Sequence, residues 1–326
     1  MIAELDRILQ HLADESQPLK LSTLYTLSGL GREQLLSVQV VFDRLSYERR
    51  RGMLRALVEL TETAIEVDFA VLFRACLDDE DADVRLLAIE GLWESEDVWL
   101  VGELVRLLKS DPHPAVRAAA AASLGRFVLL GELGDIEAAV AASAEQALLE
   151  AYFTSEEPLE VRRRALEAVA YSGEEGVGDL IEEAYYQGAE EMRVGAIFAM
   201  GRSADQRWCS IVIEELESPS QAVRYEAALA CGELELRDAV ALLSHLIDDA
   251  DSEVTNAAVD ALGKIGGAEA RQILQLCGRS EDEALRAAAE EALEQALWLS
   301  DGELEVLQAR IGYGSTGIRR TSTDTS

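Results

Sequence analysis

The sequence predicts an all-α protein: antiparallel helical hairpins stacked with a period of about 31 residues, preceded by an N-terminal helical cap. Three observations predict it. The 326-residue chain is 49% hydrophobic but only 6% aromatic, with five prolines. Ala, Leu, Glu and Arg dominate, and these residues lose least on entering a helix. A short motif, "VR" or a variant followed by alanine, recurs seven times. Around each copy the apolar residues fall at i, i+4, i+7 and i+8, the stripe of an amphipathic helix.

The copies are "DVRLLAIEGLW", "AVRAAAAASLG", "EVRRRALEAVA", "EMRVGAIFAMG", "AVRYEAALACG", "EVTNAAVDALG" and "ALRAAAEEALE". Their arginines stand at 85, 117, 162, 193, 224 and 286, with Thr255 in the sixth copy; the intervals are 32, 45, 31, 31, 31 and 31. Three residues after the arginine is always alanine, from Ala88 to Ala289. Small residues there and three positions later allow close helix–helix approach. In three copies a glycine follows (Gly201, Gly232, Gly263), which is expected to stop the helix.

In chain order, residues 1–63 do not fit the period. "IAELDRILQHLA", "GREQLLSVQVVFDRL" and "SYERRRGMLRALVELTE" read as helices of the cap, since terminal repeats are atypical. The cap carries a basic cluster, Arg44, Arg49, Arg50, Arg51 and Arg55, expected as a solvated helix face pairing with nearby acids. The array is expected over 64–297. There a second apolar helix, such as "VWLVGELVRLLKS" or "DAVALLSHLIDD", precedes each motif helix across a short acidic turn. One hairpin cannot bury its own face, so stacking makes the core. The long interval implies an insertion of about 14 residues near 128–144. The C-terminal tail, 298–326, ends in "GYGSTGIRRTSTDTS", too polar to pack, and is expected to be disordered after about residue 312.

These columns and this period resemble HEAT repeats, above all the short bacterial HEAT-like type named after phycobilisome lyases. Smaller stretches, "AIEGLWE", "SLGRFVLLGELG" and "AMGRSADQRW", also resemble bacterial HEAT-repeat proteins. The resemblance implies an α-solenoid and a ladder between successive repeats, built from a turn aspartate and the arginine six residues later. Asp79/Arg85 and Asp111/Arg117 fit, and Glu156/Arg162 is a conservative variant. Before Arg193, Arg224 and Arg286 the acid is replaced by Gln187, Ser218 and Ser280, while Asp249 precedes Thr255. Helical geometry puts Arg85 about 75° from the centre of its core stripe, at the flank facing a neighbouring repeat, so it reads as structural.

Charge and motif content exclude several classes. Acidic residues outnumber basic ones 62 to 29, a formal charge of −33, which repels nucleic acids and anionic membranes. The N-terminus has no basic-then-apolar leader, and no run approaches a membrane span; a cytoplasmic protein is expected. Cys76, Cys209, Cys231 and Cys277 are widely spaced and read as reduced thiols. Asp79, Asp81, Asp83 and Glu90 match the acid positions of a calcium loop, but Val84 stands where that loop needs glycine, so no metal site is assigned. No motif for phosphate binding, nucleophilic catalysis or metal hydrolysis appears. No catalytic residue and no cofactor is expected.

Positions one and five after each arginine point away from the core and should be polar. Instead they are Val194/Phe198 and Tyr225/Leu229 in consecutive repeats, and Leu86 has Trp93 beside it. The resemblance places this helix on the concave surface. The expected site is therefore a concave apolar strip of Val194, Phe198, Tyr225 and Leu229, with Leu86 and Trp93, ringed by carboxylates. The expected function is a non-enzymatic protein–protein interaction scaffold whose partner is another protein with a basic or amphipathic segment. The alternative, carried by the resemblance alone, is a bilin lyase subunit or chaperone. A HEAT-like DNA glycosylase needs a basic groove, contrary to this charge.

Overall fold

The computed structural model describes residues 2–64 and 66–297, all-α with no strand among the described residues. The tail and its "RRTS" lie outside the described residues. The chain forms two compact units, residues 1–180 and 181–326. The first opens with α1 (Ile2–Ala13), α2 (Leu21–Tyr25), α3 (Arg32–Phe42) and α4 (Tyr47–Thr63). Three hairpins follow: α5 (Ala70–Cys76) with α6 (Ala82–Gly91), α7 (Trp99–Ser110) with α8 (Pro114–Leu133), and α9 (Ala138–Phe153) with α10 (Leu159–Val169). α11 (Val177–Gln187) crosses the boundary. The second unit holds α12 (Glu190–Arg202), α13 (Cys209–Glu215) with α14 (Gln221–Glu233), α15 (Val240–Leu246) with α16 (Ser252–Ile265), and α17 (Gly267–Cys277) with α18 over 283–297. No described helix is long and apolar enough to cross a membrane.

Within each unit the second helices of successive hairpins pack along one another: α4 on α6, α6 on α8 and α8 on α10, then α12 on α14 and α14 on α16. The alanine column explains how. Ala88, Ala120, Ala165, Ala196, Ala227, Ala258 and Ala289 are all 0% exposed, so the stack has no room for a longer side chain there. Overfilling such a site costs about 1–3 kcal/mol.

The glycines expected to stop helices do something else. Gly201 and Gly232 lie inside α12 and α14, and Gly263 inside α16. A Cβ on Gly201 would stand 2.9 Å from the Cα of Ala230, and one on Gly232 would stand 2.9 Å from the Cα of Ala261. These are packing glycines. Left-handed backbone comes three residues later, at Ala204 and Glu235 (φ 51° each) and at Gly266 (φ 61°). It recurs every 31 residues, and only the last position has the residue that favours it.

The insertion is absorbed into helix. α8 has 20 residues and α9 has 16, against 13 and 7 in α14 and α13. Gly134 (φ 79°) closes α8, and Gly131 lets it approach Ala141, where a Cβ would meet the alanine methyl at 2.2 Å.

Candidate functional site

The arginine column builds ladders within each unit, and the rungs at Arg85, Arg117, Arg193 and Arg224 reach forward to the next hairpin. Arg85 donates from Nε and Nη2 to both carboxylate oxygens of Asp111, at 2.7 and 2.9 Å, and from Nη1 to the carbonyl of Asp79 at 2.7 Å. Asp111 also accepts the His113 N–H at 2.8 Å. One arginine thus ties its own turn to the next repeat's turn. Arg224 repeats the pattern on Asp249 (2.8 and 2.9 Å) and the Ser218 carbonyl (2.9 Å). The hydrogen bond from Arg224 holds the Asp249 carboxyl below its usual range.

Other rungs depart from the expected partners. Arg117 pairs with Glu157 at 3.0 Å, and not with Glu156. Both glutamates lie in the same turn, and helix α10 begins after Pro158, which leaves the second of them facing Arg117. Arg193 has Ser218 in the next turn where Arg85 and Arg224 have an aspartate, and it pairs with Glu215 at the end of α13, which also accepts the Tyr185 hydroxyl. Burial, with that hydrogen bond, pushes the Tyr185 phenol up to about 12. Arg162 donates to the Tyr152 carbonyl at 2.9 Å and Arg286 to the Ser280 carbonyl at 3.0 Å, each within its own hairpin. In the sixth copy the Thr255 hydroxyl donates to backbone carbonyls of its own hairpin.

The ladder also begins earlier than the repeat pattern. Arg50, expected on a solvated face, is 8% exposed. It donates to Asp79 at 3.0 Å and to the carbonyls of Phe42 and Asp43. The acids of the apparent calcium loop are engaged in the same way. Asp81 caps α6 through the Val84 N–H and pairs with Arg51, which also meets Asp83.

Of the expected strip, Val194 and Phe198 stand on α12 and Tyr225 and Leu229 on α14, which pack together, and each of the four is half-buried. Arg202 lies 5.2 Å from the Phe198 ring centroid, a cation–π distance. Partial burial raises the Tyr225 phenol, with Glu226, Glu253 and Asp260 adding to the shift. In the first unit the equivalent row is polar in α10. There Glu167 is 5% exposed between Arg163 and Arg164, and burial raises its carboxyl against their pull.

Leu86 and Trp93 lie in the first unit, and Trp93 does not project beside Leu86 from a helix face. α6 ends at Gly91, so Trp93 sits in the connection to α7, 54% exposed, at the mouth of a cleft of about 990 Å³. The cysteines are free thiols, and burial pushes Cys231 up to about 12, away from nucleophilic use.

A family model of HEAT repeats matches residues 69–168 and 209–294. No curated protein matches the chain in sequence. Among solved structures the chain is similar to the complex of CpcE and CpcF of phycocyanin lyase from Nostoc sp. PCC7120. The identity is 15%, covering 87% of this chain and 97% of that one, with a TM-score of 0.51. It is also similar to human deoxyhypusine hydroxylase (21% identity, 90% and 96% covered, TM-score 0.36) and to a designed armadillo repeat protein (21%, 60% and 99%, 0.37). At these identities the likeness is one of fold alone. The repeat match spans more than half of the sequence, and with the arginine rungs, the buried alanine column and the stacked hairpins it shows that the chain belongs to the HEAT-repeat family.

Proposed function

We propose that this chain is a non-enzymatic protein-interaction scaffold, and that the second-helix face of its second unit docks a basic or amphipathic segment of another protein. Chains of this fold commonly serve as interaction scaffolds. One observation supports the finer reading: Val194 and Phe198 on α12 and Tyr225 and Leu229 on α14 are half-exposed apolar side chains on two helices that pack together, and the charges of Glu226, Glu253 and Asp260 act on Tyr225. An amphipathic helix places apolar side chains at i, i+3, i+4 and i+7. Such anchors fit the row, with Lys or Arg of the partner against the carboxylates.

Affinity capture from native lysate, wild type against Phe198→Asp/Leu229→Asp, tests this reading. A protein lost from the variant, and then shown with purified components to bind more weakly to Phe198→Ala/Tyr225→Ala, is the expected result. Unchanged binding by that second variant would remove the site assignment. The second reading, a bilin lyase subunit or chaperone, has behind it the fold shared with CpcE and CpcF. Co-expression with a bilin pathway tests it, and a colourless protein that shifts no bilin spectrum rejects it.

A further inference from the structure

A different feature, in the first unit, points to a second kind of contact. The described tryptophans differ in what covers their rings. Trp99 carries the Arg74 guanidinium 3.9 Å from its ring centroid, and Trp208 carries that of Arg207 at 4.4 Å. The guanidinium on Trp93, that of Arg126, stands 6.0 Å away, the outer limit for a cation–π contact. Arg126 is held there by the carbonyls of Leu92 and Ser95, at 3.4 and 2.6 Å. Trp93 is 54% exposed, whereas Trp208 is 3% exposed. Among the described tryptophans, Trp99 and Trp208 have one of the chain's own arginines close over the ring, and Trp93 has its arginine only at the limit of contact.

Trp93 opens onto the cleft between the end of α4, the start of α5 and the connection from α6 to α7. Glu62, Glu90, Glu94 and Glu96 line the same cleft and are exposed. Among the described residues none of the four is within ion-pair distance of a cation, and Glu96 and Glu94 act on Arg126 through space. The cleft thus offers an aromatic face, an apolar side chain at Val67 and exposed carboxylates.

Resting on the scaffold reading but using other residues, we propose that this cleft seats an arginine of a partner protein's extended basic segment, its guanidinium stacked on Trp93 and its fork against Glu94 and Glu96. Arginine suits the site better than lysine, because its planar, weakly hydrated cation both stacks and meets carboxylates in a fork.

The test uses the full chain and a fluorescein-labelled peptide of alternating glycine and arginine, read by fluorescence anisotropy. The control peptide carries citrulline, a neutral isostere, in place of each arginine. The arginine peptide is expected to bind and the citrulline peptide not. Trp93→Ala, which leaves net charge unchanged, is expected to weaken binding about fivefold or more. Glu94→Gln/Glu96→Gln is expected to weaken it also, while Glu174→Gln/Glu175→Gln, the same charge change elsewhere in this unit, is expected to leave it unaltered. Circular dichroism melting curves establish that each variant is folded, and the glutamate pair tests the site if Trp93→Ala is not.

Absence of arginine-peptide binding overturns the proposal. So does equal binding by wild type and Trp93→Ala, or equal loss in the two glutamine pairs, which is the mark of diffuse attraction to a −33 chain. Tenfold tighter binding on removal of residues 298–326 would reassign the cleft to the chain's own Arg319 and Arg320. Phe198→Ala/Tyr225→Ala is expected to leave peptide affinity unchanged, so failure of the strip and failure of the cleft are separate results.

Discussion

Breaking the Arg85–Asp111 rung should be far more damaging than breaking an ion pair at the surface. The side chains are 9% and 3% exposed, and the two carboxylate hydrogen bonds are 2.7 and 2.9 Å long. In Arg85→Leu, Asp111 keeps its charge and its bond from the His113 N–H but loses its counter-ion. The carbonyls of Asp79 and Glu80 lose their donor as well. Removing one member of a buried pair costs about 3–5 kcal/mol, mostly through the charge left behind. Arg85→Leu/Asp111→Leu should lose less than the sum of the single changes, because neither charge is then stranded. The control is Arg106 with Glu103, whose side chains are 45% and 36% exposed; Arg106→Ala should cost under about 1 kcal/mol. Urea unfolding followed by far-ultraviolet circular dichroism measures all four variants. If Arg85→Leu cost no more than Arg106→Ala, or if the double change were additive, the rung would not be the buried coupling described here.

Three further outcomes are expected. Gly201→Val should cost about 1–3 kcal/mol by overfilling the contact with Ala230, whereas Gly102→Ala, in α7 with nothing within 4 Å of its would-be Cβ, should gain about 0.5–1 kcal/mol; equal melting temperatures would contradict the close approach. Asp249 has a folded pKa below its ordinary value of 3.8, so its contribution is present above that pH and lost as pH falls through the folded value. The stability gap between wild type and Asp249→Asn should shrink in acid below about pH 4, and a gap constant from pH 7 to pH 2 would contradict the assignment. With a formal charge of −33, self-repulsion opposes the folded stack, so moderate NaCl should raise the melting temperature; a flat or falling curve would mean that the acids are balanced locally.

The columns of the repeat were legible because a helix buried on one face repeats its chemistry at fixed spacing. Val84, Ala88 and Leu92 are buried where the stripe puts them. What escaped the pattern depends on contacts with no fixed spacing. Glu157 is chosen over Glu156 by where α10 starts. Glu215 serves Arg193 from the end of α13, 22 residues away. Arg50 escaped because α4 has Met53 where the repeats have alanine, so its helix did not register as the start of the ladder. Trp93 was placed by carrying helical geometry past Gly91, where the helix has already ended. How far Val194, Phe198, Tyr225 and Leu229 are buried depends on the packing of α12 against α14, which a single-helix projection does not contain.

The threonine at position 255 has a consequence for how such an array changes length. Its hydroxyl turns back to its own hairpin, and Arg286 also bonds within its own, so the forward-reaching arginine rungs of the second unit end at Asp249. The joint from α16 to α18 rests on Gly263 against Ala292. Cutting the chain after Gly266 severs none of these rungs. A hairpin could be lost here, or another copied in, with the upstream lattice of charges intact. The place without a rung is where an array of this design can be edited.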